Sequence, residues 1–296
     1  MIEIRDLHGR KTGETPNPIQ NGINNNILIC GSSGSGKTTL LKYIEKQEQP
    51  DLKIIFKEDK ERSTRIKNHR PFIQRDRINF LDSWKESQEV DNTGYMILQE
   101  YLQLESIRKE GETIGEMNKR INELEKDTKN GIETTILRNI QSKIRTLYPS
   151  KTEEKIPIQT TLSMEELTEH EYHFFSSYII RNKYDELLNQ KISIDEVHRL
   201  KPIFPLIGRI SREIRSRGEI LLTTQSLSDV PSDIINNMGS IYLFQTLDQR
   251  DIKFLGEISE RLKESILQLD EHEFIELRSF RRMEKLGRPF KMELII

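Results

Sequence analysis

The sequence predicts an α/β fold: a mostly parallel central sheet flanked by helices and interrupted by a helical insertion. Three observations predict it. Short apolar runs such as Ile27-Leu28-Ile29-Cys30, bounded by polar residues or glycine, read as buried strands. They alternate with stretches of helical spacing such as Leu40, Leu41 and Ile44, the pattern of strands joined by crossover helices. The middle of the chain departs from this, with apolar residues at 114, 117, 121 and 124 and then at 132, 136, 140, 144 and 147. Those spacings are helical stripes.

Taken in order, residues 1–26 are a short lead-in rich in Gly, Pro and Asn, with one strand at 2–4. A strand at 27–30 runs into a helix at 37–48 that stops at Pro50, and further strands are expected at 53–57 and 78–81. The first part of the core thus spans 27–95. Residues 96–160 form the insertion, its two stripes separated by Thr128-Lys129-Asn130-Gly131 and closed by Pro149. The stripes suit an antiparallel helical hairpin or two amphipathic helices lying on the core. The second part, 161–296, begins with a long helical stretch at 163–189. Strands follow at 192–194, 219–223, 240–245, 273–278 and 290–295, with helices at 205–217, near Pro231 and at 249–267.

Composition bounds the function classes. The chain has 296 residues, which suits about two domains, or one large domain with an insertion. Lys plus Arg (46) nearly balances Asp plus Glu (48), which argues against a wholly basic nucleic-acid coat and against a polyacidic tail. There is no alanine, yet Ile, Leu, Val and Phe stay well above the ~20% below which disorder is the better reading. One cysteine, Cys30, excludes an internal disulfide framework and a multi-cysteine zinc site, and reads as a small buried strand residue. No apolar stretch reaches the ~18 residues of a membrane span, and the start MIEIRDLHGRK lacks the apolar centre of a signal peptide. The expectation is a soluble cytoplasmic protein.

Gly31-Ser32-Ser33-Gly34-Ser35-Gly36-Lys37-Thr38 satisfies G-x-x-x-x-G-K-[ST] between a strand and a helix, with Thr39 following. Glycines allow the tight wrap that aims successive N–H groups at an anionic phosphate at a helix N-terminus. Lys37 is expected on the β- and γ-phosphates of ATP and Thr38 on Mg2+.

Lys191-Ile192-Ser193-Ile194 delivers Asp195 and Glu196 at a strand's C-terminal end, where ligands bind in open parallel sheets. Alone, such a pair reads as a polar turn. Beside a phosphate loop, Asp195 suits the Mg2+ shell, and Glu196 suits orienting and deprotonating a water aimed at the γ-phosphate. His198 reads as a polar helix-start residue within reach of the site. The strand Leu221–Thr224 ends at Gln225, which suits contact with phosphate or water but also an ordinary strand end.

The segments GSSGSGKTTLLKYI, ISIDEVHRL, SRGEILLTTQSLSDVPSDIINNMGSIYLFQT and GRPFKMEL together resemble the HerA/FtsK branch of the P-loop ATPases, and within it HerA-type DNA translocases. The resemblance is strong over 27–57 and 190–256. It implies a RecA-like P-loop NTPase of the additional-strand catalytic glutamate type. It also implies an ATP hydrolase acting as a homo-oligomeric ring, usually a hexamer, that moves double-stranded DNA, alone or with a partner nuclease or other accessory protein. Lys37 and Thr38 match the nucleotide loop, Asp195 and Glu196 the metal and catalytic carboxylates, and Gln225 the sensor. An arginine from a neighbouring subunit completes such sites; Arg212, Arg215, Arg217, Arg281, Arg282 and Arg288 are the candidates. The chain departs from the family in its short lead-in and its long charged insert, which favour a minimal motor.

Residues 57–77 hold eight Lys/Arg against four Asp/Glu, and 278–291 hold six against one. Such stretches suit phosphate contacts as well as solvated faces. Two other readings share the nucleotide chemistry: viral genome packaging, and a secretion or conjugation ATPase acting on protein. A third is a nucleotide-gated ring with little turnover.

Overall fold

The computed structural model describes residues 3–6, 24–47, 49–55, 77–87, 94–107, 109, 114–147, 160–163, 168–215, 217–278 and 290–295. The chain divides into two units, one of residues 1–55 and 185–296 and the other of 56–184. In chain order the elements are β1 (Glu3–Asp6), β2 (Ile27–Cys30), α1 (Lys37–Gln47), β3 (Leu52–Ile55), α2 (Arg77–Ser87), α3 (Gly94–Ile107), α4 (Ile114–Asp127), α5 (Gly131–Leu147), β4 (Thr160–Ser163) and α6 (Glu169–Asn182). They continue with α7 (Tyr184–Leu187), β5 (Lys191–Ile194), a 3-10 helix (Val197–Ile203), α8 (Phe204–Ile214), β6 (Glu219–Thr224), a 3-10 turn (Leu227–Asp229) and α9 (Ser232–Ile235). The chain closes with β7 (Ser240–Phe244), α10 (Gln249–Ile258), α11 (Glu260–Leu267), β8 (Glu273–Arg278) and β9 (Phe290–Ile295).

The first unit is built on a sheet in the order β1-β9-β8-β7-β2-β6-β5-β3. Strands β7, β2, β6, β5 and β3 run parallel, and β8, β9 and β1 extend the sheet antiparallel. Parallel strands are covered on both faces and so read as unbroken apolar runs, which is why all four residues of β2 are buried. Ile27 and Ile29 pack with Leu40 and Leu41 of α1 and with Leu221, Tyr242, Phe244 and Phe274. Each such side chain contributes about 1.5–3 kcal/mol by leaving water. β6 lies between β2, which leads into the phosphate loop, and β5, which leads into the acidic pair. That interposed strand is the additional-strand arrangement of a P-loop NTPase, as expected.

The second unit has its own apolar core, in which Leu81 and Trp84 of α2, Leu104 of α3, Met117 and Ile121 of α4, and Ile136, Leu137, Ile140 and Ile144 of α5 meet Phe174, Phe175 and Tyr178 of α6. α4 and α5 follow one another through residues 128–130, and Glu125 pairs with Arg138 across them at 2.7 Å. Two expectations are corrected here. Residues 78–81 are helical, not a strand: Leu81, Trp84 and Ser87 are buried at a three-residue spacing, and a run of four residues was too short to reveal that period. The helix expected over 163–189 is instead β4, α6 and α7. Thr168 and Glu171 form a reciprocal capping box that starts α6, and Lys183 ends it. Among the described residues no helix is long and apolar enough to cross a membrane.

Candidate functional site

The loop Gly31–Thr38 joins β2 to α1. Gly31 approaches β7 so closely that a Cβ there would lie 2.5 Å from the Phe244 Cβ. Gly36 has φ of 107°, which other residues rarely adopt. The loop is pinned by the Gly31 N–H on the Thr224 carbonyl at 3.4 Å and the Ser32 N–H on the Gln245 carbonyl at 3.1 Å. Ser33, Gly34 and Thr38 are exposed, whereas Ser35 and Lys37 are buried. The Lys37 ammonium donates to the Ser32 carbonyl at 2.8 Å. Burial lowers its pKa, and the negative fields of Glu196, Cys30 and Asp195 act the other way. The Ser35 hydroxyl is buried with no partner among the described residues. The loop therefore offers N–H, hydroxyl and ammonium donors at a helix start, a cradle for an anion.

One contact places the acidic pair on the same side of the sheet as the helix that follows this loop. Ser193 donates to Glu45 of α1 at 2.8 Å. Side chains two apart on a strand share a face, so Asp195 lies on the layer that α1 occupies. The negative fields of Glu196 and Asp195 at Lys37 agree with that placement. β5 and β2 are two strand spacings apart, about 9–10 Å.

β6 supplies the organising contacts. The register sets Ile194 beside Leu222, so Asp195 is level with Thr223. The Thr223 hydroxyl donates to Asp195 Oδ1 at 2.5 Å and accepts from the Glu196 N–H at 2.9 Å. Glu196 has φ 53° and ψ 48°, a left-handed conformation costing about 1–2 kcal/mol for a residue with a side chain. Its carboxylate Oε2 accepts from Gln225 Nε2 at 2.8 Å. His198 Nε2 lies 3.3 Å from the same oxygen, and its Nδ1 is 3.5 Å from the Thr224 hydroxyl. His198 is thus part of the site rather than only a helix-start residue. Burial lowers its pKa against the opposing field of Glu196.

Beyond Gln225 the chain is held by Asp251 of α10, which is fully buried. It accepts from the Ser226 hydroxyl at 2.8 Å, the Leu227 N–H at 3.1 Å, the Ser228 N–H at 2.8 Å and the Thr246 hydroxyl at 3.3 Å. Sequence reasoning missed Asp251, because an acid in the first turn of a helix reads as a surface residue favoured by the helix dipole. It also missed Thr223, whose role depends on a register no local pattern shows.

A magnesium ion takes hard oxygen ligands, a few from protein and the rest from phosphate and water. The donor set fits: Thr38 is exposed, and Asp195 engages Thr223 through one oxygen only, keeping Oδ2 open. No cluster of three or more His, Cys, Asp or Glu suited to a metal occurs among the described residues. Arg212, Arg215 and Arg217 are exposed on α8 and the turn into β6, at the edge of the sheet opposite the loop. Arg281, Arg282 and Arg288 lie outside the described residues, as do the side chains of both Lys/Arg-rich stretches.

A family model described as ABC transporter matches residues 22–240, a span that contains the loop Gly31–Thr38, Asp195, Glu196, His198 and Gln225. None of the curated proteins matches the chain. Among solved structures, the bacterial conjugative coupling protein TrwBdeltaN70 is similar with a TM-score of 0.59 and 12% identity, over 93% of this chain and 85% of that one. The plasmid coupling protein TrwB in complex with the GTP analogue GDPNP is similar with a TM-score of 0.59 and 11% identity, over 93% and 86%. The genome packaging NTPase B204 from Sulfolobus turreted icosahedral virus 2, with ATP-gammaS, gives a TM-score of 0.44 at 11% identity, over 95% and 99%.

Proposed function

The chain belongs to the family of P-loop ATPases that the ABC transporter model describes, and from that premise we propose that it is a Mg2+–ATP-dependent motor of the HerA/FtsK kind, a homo-oligomeric ring, in the simplest case a hexamer, that translocates double-stranded DNA. In this reading the amides of 31–38 hold the phosphates and the Lys37 ammonium lies on the γ-phosphate. Thr38 and Asp195 hold the metal, which when bound neutralises charge on the phosphate oxygens. Glu196 orients a water toward the γ-phosphate and takes its proton. Gln225 relays the state of the nucleotide. An arginine of a neighbouring subunit then stabilises the transferring charge.

The observation that carries the reading is the bond from Gln225 to Glu196. It joins the group that would sense phosphate to the group that would handle water, just past the ends of adjacent strands. Gln225 continues directly into the Ser226–Ser228 loop held by Asp251, a rigid path by which hydrolysis could move a surface loop. Linear duplex DNA should raise ATP turnover severalfold, and added salt should erode that rise because phosphate contacts release counterions. Turnover indifferent to DNA across low salt would overturn the DNA assignment. The fold likeness to TrwB favours a second reading, a coupling ATPase of a conjugation apparatus. Stimulation by a protein component of such an apparatus, without stimulation by DNA, would select it.

A further inference from the structure

We infer that Thr223 is a positioning residue for ATP hydrolysis: its single hydroxyl sets both carboxyl-bearing residues of the site at once. The inference rests on the assignment of Asp195 and Glu196 to the metal and the water.

The bonding directions leave one arrangement. The Glu196 N–H can only donate, so at 2.9 Å the Thr223 oxygen accepts. An ionised Asp195 can only accept, so the hydroxyl proton goes to its Oδ1 at 2.5 Å. One hydroxyl is thereby used as donor and acceptor together. Thr223 is 1% exposed, so water does not replace it readily. The first bond turns Asp195 so that Oδ2 remains for a ligand. The second holds the N–H of a residue whose left-handed backbone would otherwise relax, and that backbone aims the carboxylate at Gln225. Thr223 touches no reacting atom; it acts through its neighbours.

The position also explains the interposed strand in chemical terms. The register places Thr223 beside Ile29 of β2, immediately before Cys30 and the phosphate loop. A strand inserted between loop and acidic pair thus brings an uncharged donor–acceptor to the seam.

The test uses Thr223→Val and Thr223→Ser in the full chain. Valine keeps the branched shape and strand preference and removes the hydroxyl; serine keeps the hydroxyl. Since misplacement of a reacting group by about 1 Å can cost 10²-fold, kcat of T223V should fall by about a hundredfold, read per folded molecule below the melting transition. KM and the Kd of a non-hydrolysable ATP analogue should stay within about threefold, as binding by the loop at 31–38 is untouched, and T223S should recover most of the rate. A T223V enzyme with wild-type kcat would overturn the inference, and so would T223S falling as far as T223V. A parallel Glu196→Gln variant separates the two failures. If E196Q is inactive while T223V is not, Thr223 loses its role and Glu196 keeps its own. If E196Q hydrolyses ATP normally, the underlying assignment fails first.

Discussion

At the end of the parallel sheet where β5 and β6 begin, Asn26 is fully buried and uses its whole side chain. Its Nδ2 donates to the Ser211 carbonyl at 2.6 Å and the Asn237 carbonyl at 2.9 Å, and its Oδ1 accepts from the Ile220 N–H at 3.2 Å. Beside it Asp51 accepts from the Lys191 N–H at 2.9 Å, and Lys191 pairs with Glu219 at 3.3 Å. At the opposite end, where the same strands finish, Thr38 and Gln225 are exposed, the Ser35 hydroxyl is buried without a partner among the described residues, and Glu196 is held in a left-handed conformation. One edge commits most of its polar groups to the fold and so adds to stability, with only a few side-chain oxygens such as Asn25 Oδ1 and Asn237 Oδ1 buried without a partner among the described residues. The other keeps donors and acceptors open for a ligand and tolerates strain, as functional sites do.

If that division is right, substitutions at the two edges should separate activity from stability. Lys37→Ala has the largest expected effect: ATP turnover should fall by about a hundredfold or more, the scale for losing a preorganised charge at a developing anion. Because burial already disfavours the Lys37 cation, the melting temperature should hold or rise, and a large drop would blur the contrast. Asn26→Ala should do the reverse. The Ser211 carbonyl and the Ile220 N–H lose their side-chain partner, while the Asn237 carbonyl keeps Asn24 Nδ2 at 2.9 Å, for a loss of about 2–3 kcal/mol, measured as a lower urea midpoint at unchanged slope. Turnover per folded molecule should be retained, and a fall in it would join the two edges.

The smallest effect is expected from Glu219→Gln. Burial raises the pKa of Glu219 above the ordinary 4.5, with Lys191 opposing. The folded state therefore holds that proton more tightly than the unfolded chain, so this group's contribution is fullest below about pH 4.5 and is lost as pH rises through the folded value. Glutamine should flatten that dependence and change stability near neutrality by less than about 1 kcal/mol, because the Lys191 side chain, 28% exposed, returns to solvent. Urea midpoints of both proteins across the acid range measure the difference in slope.

The same division sets what could be read from the residues alone. The loop Gly31–Thr38 is local: its glycines, lysine and threonine sit in one stretch between a strand and a helix, so its chemistry is visible without a fold. Asp195 and Glu196 became meaningful only beside that loop, and Gln225 only through a family resemblance. Asn26 looked like part of a polar lead-in, yet its partners are Ser211, Ile220 and Asn237, which no sequence pattern brings near it. Thr223 was one more polar residue in a strand, and Asp251 one more acid at a helix start. Their roles come from pairing across 25 or more positions. The run at 78–81 failed for the opposite reason, since four residues cannot distinguish a period of two from one of 3.6.

The most direct test of the account is the fate of ATP on Glu196→Gln. Glutamine keeps the size and the hydrogen-bonding reach toward Gln225 but removes the charge that accepts a proton from water. After incubation with Mg2+ and ATP, nucleotide released from the purified variant should be ATP, bound as tightly as by the native chain. Recovery of ADP at the native rate would contradict the placement of water activation at residue 196.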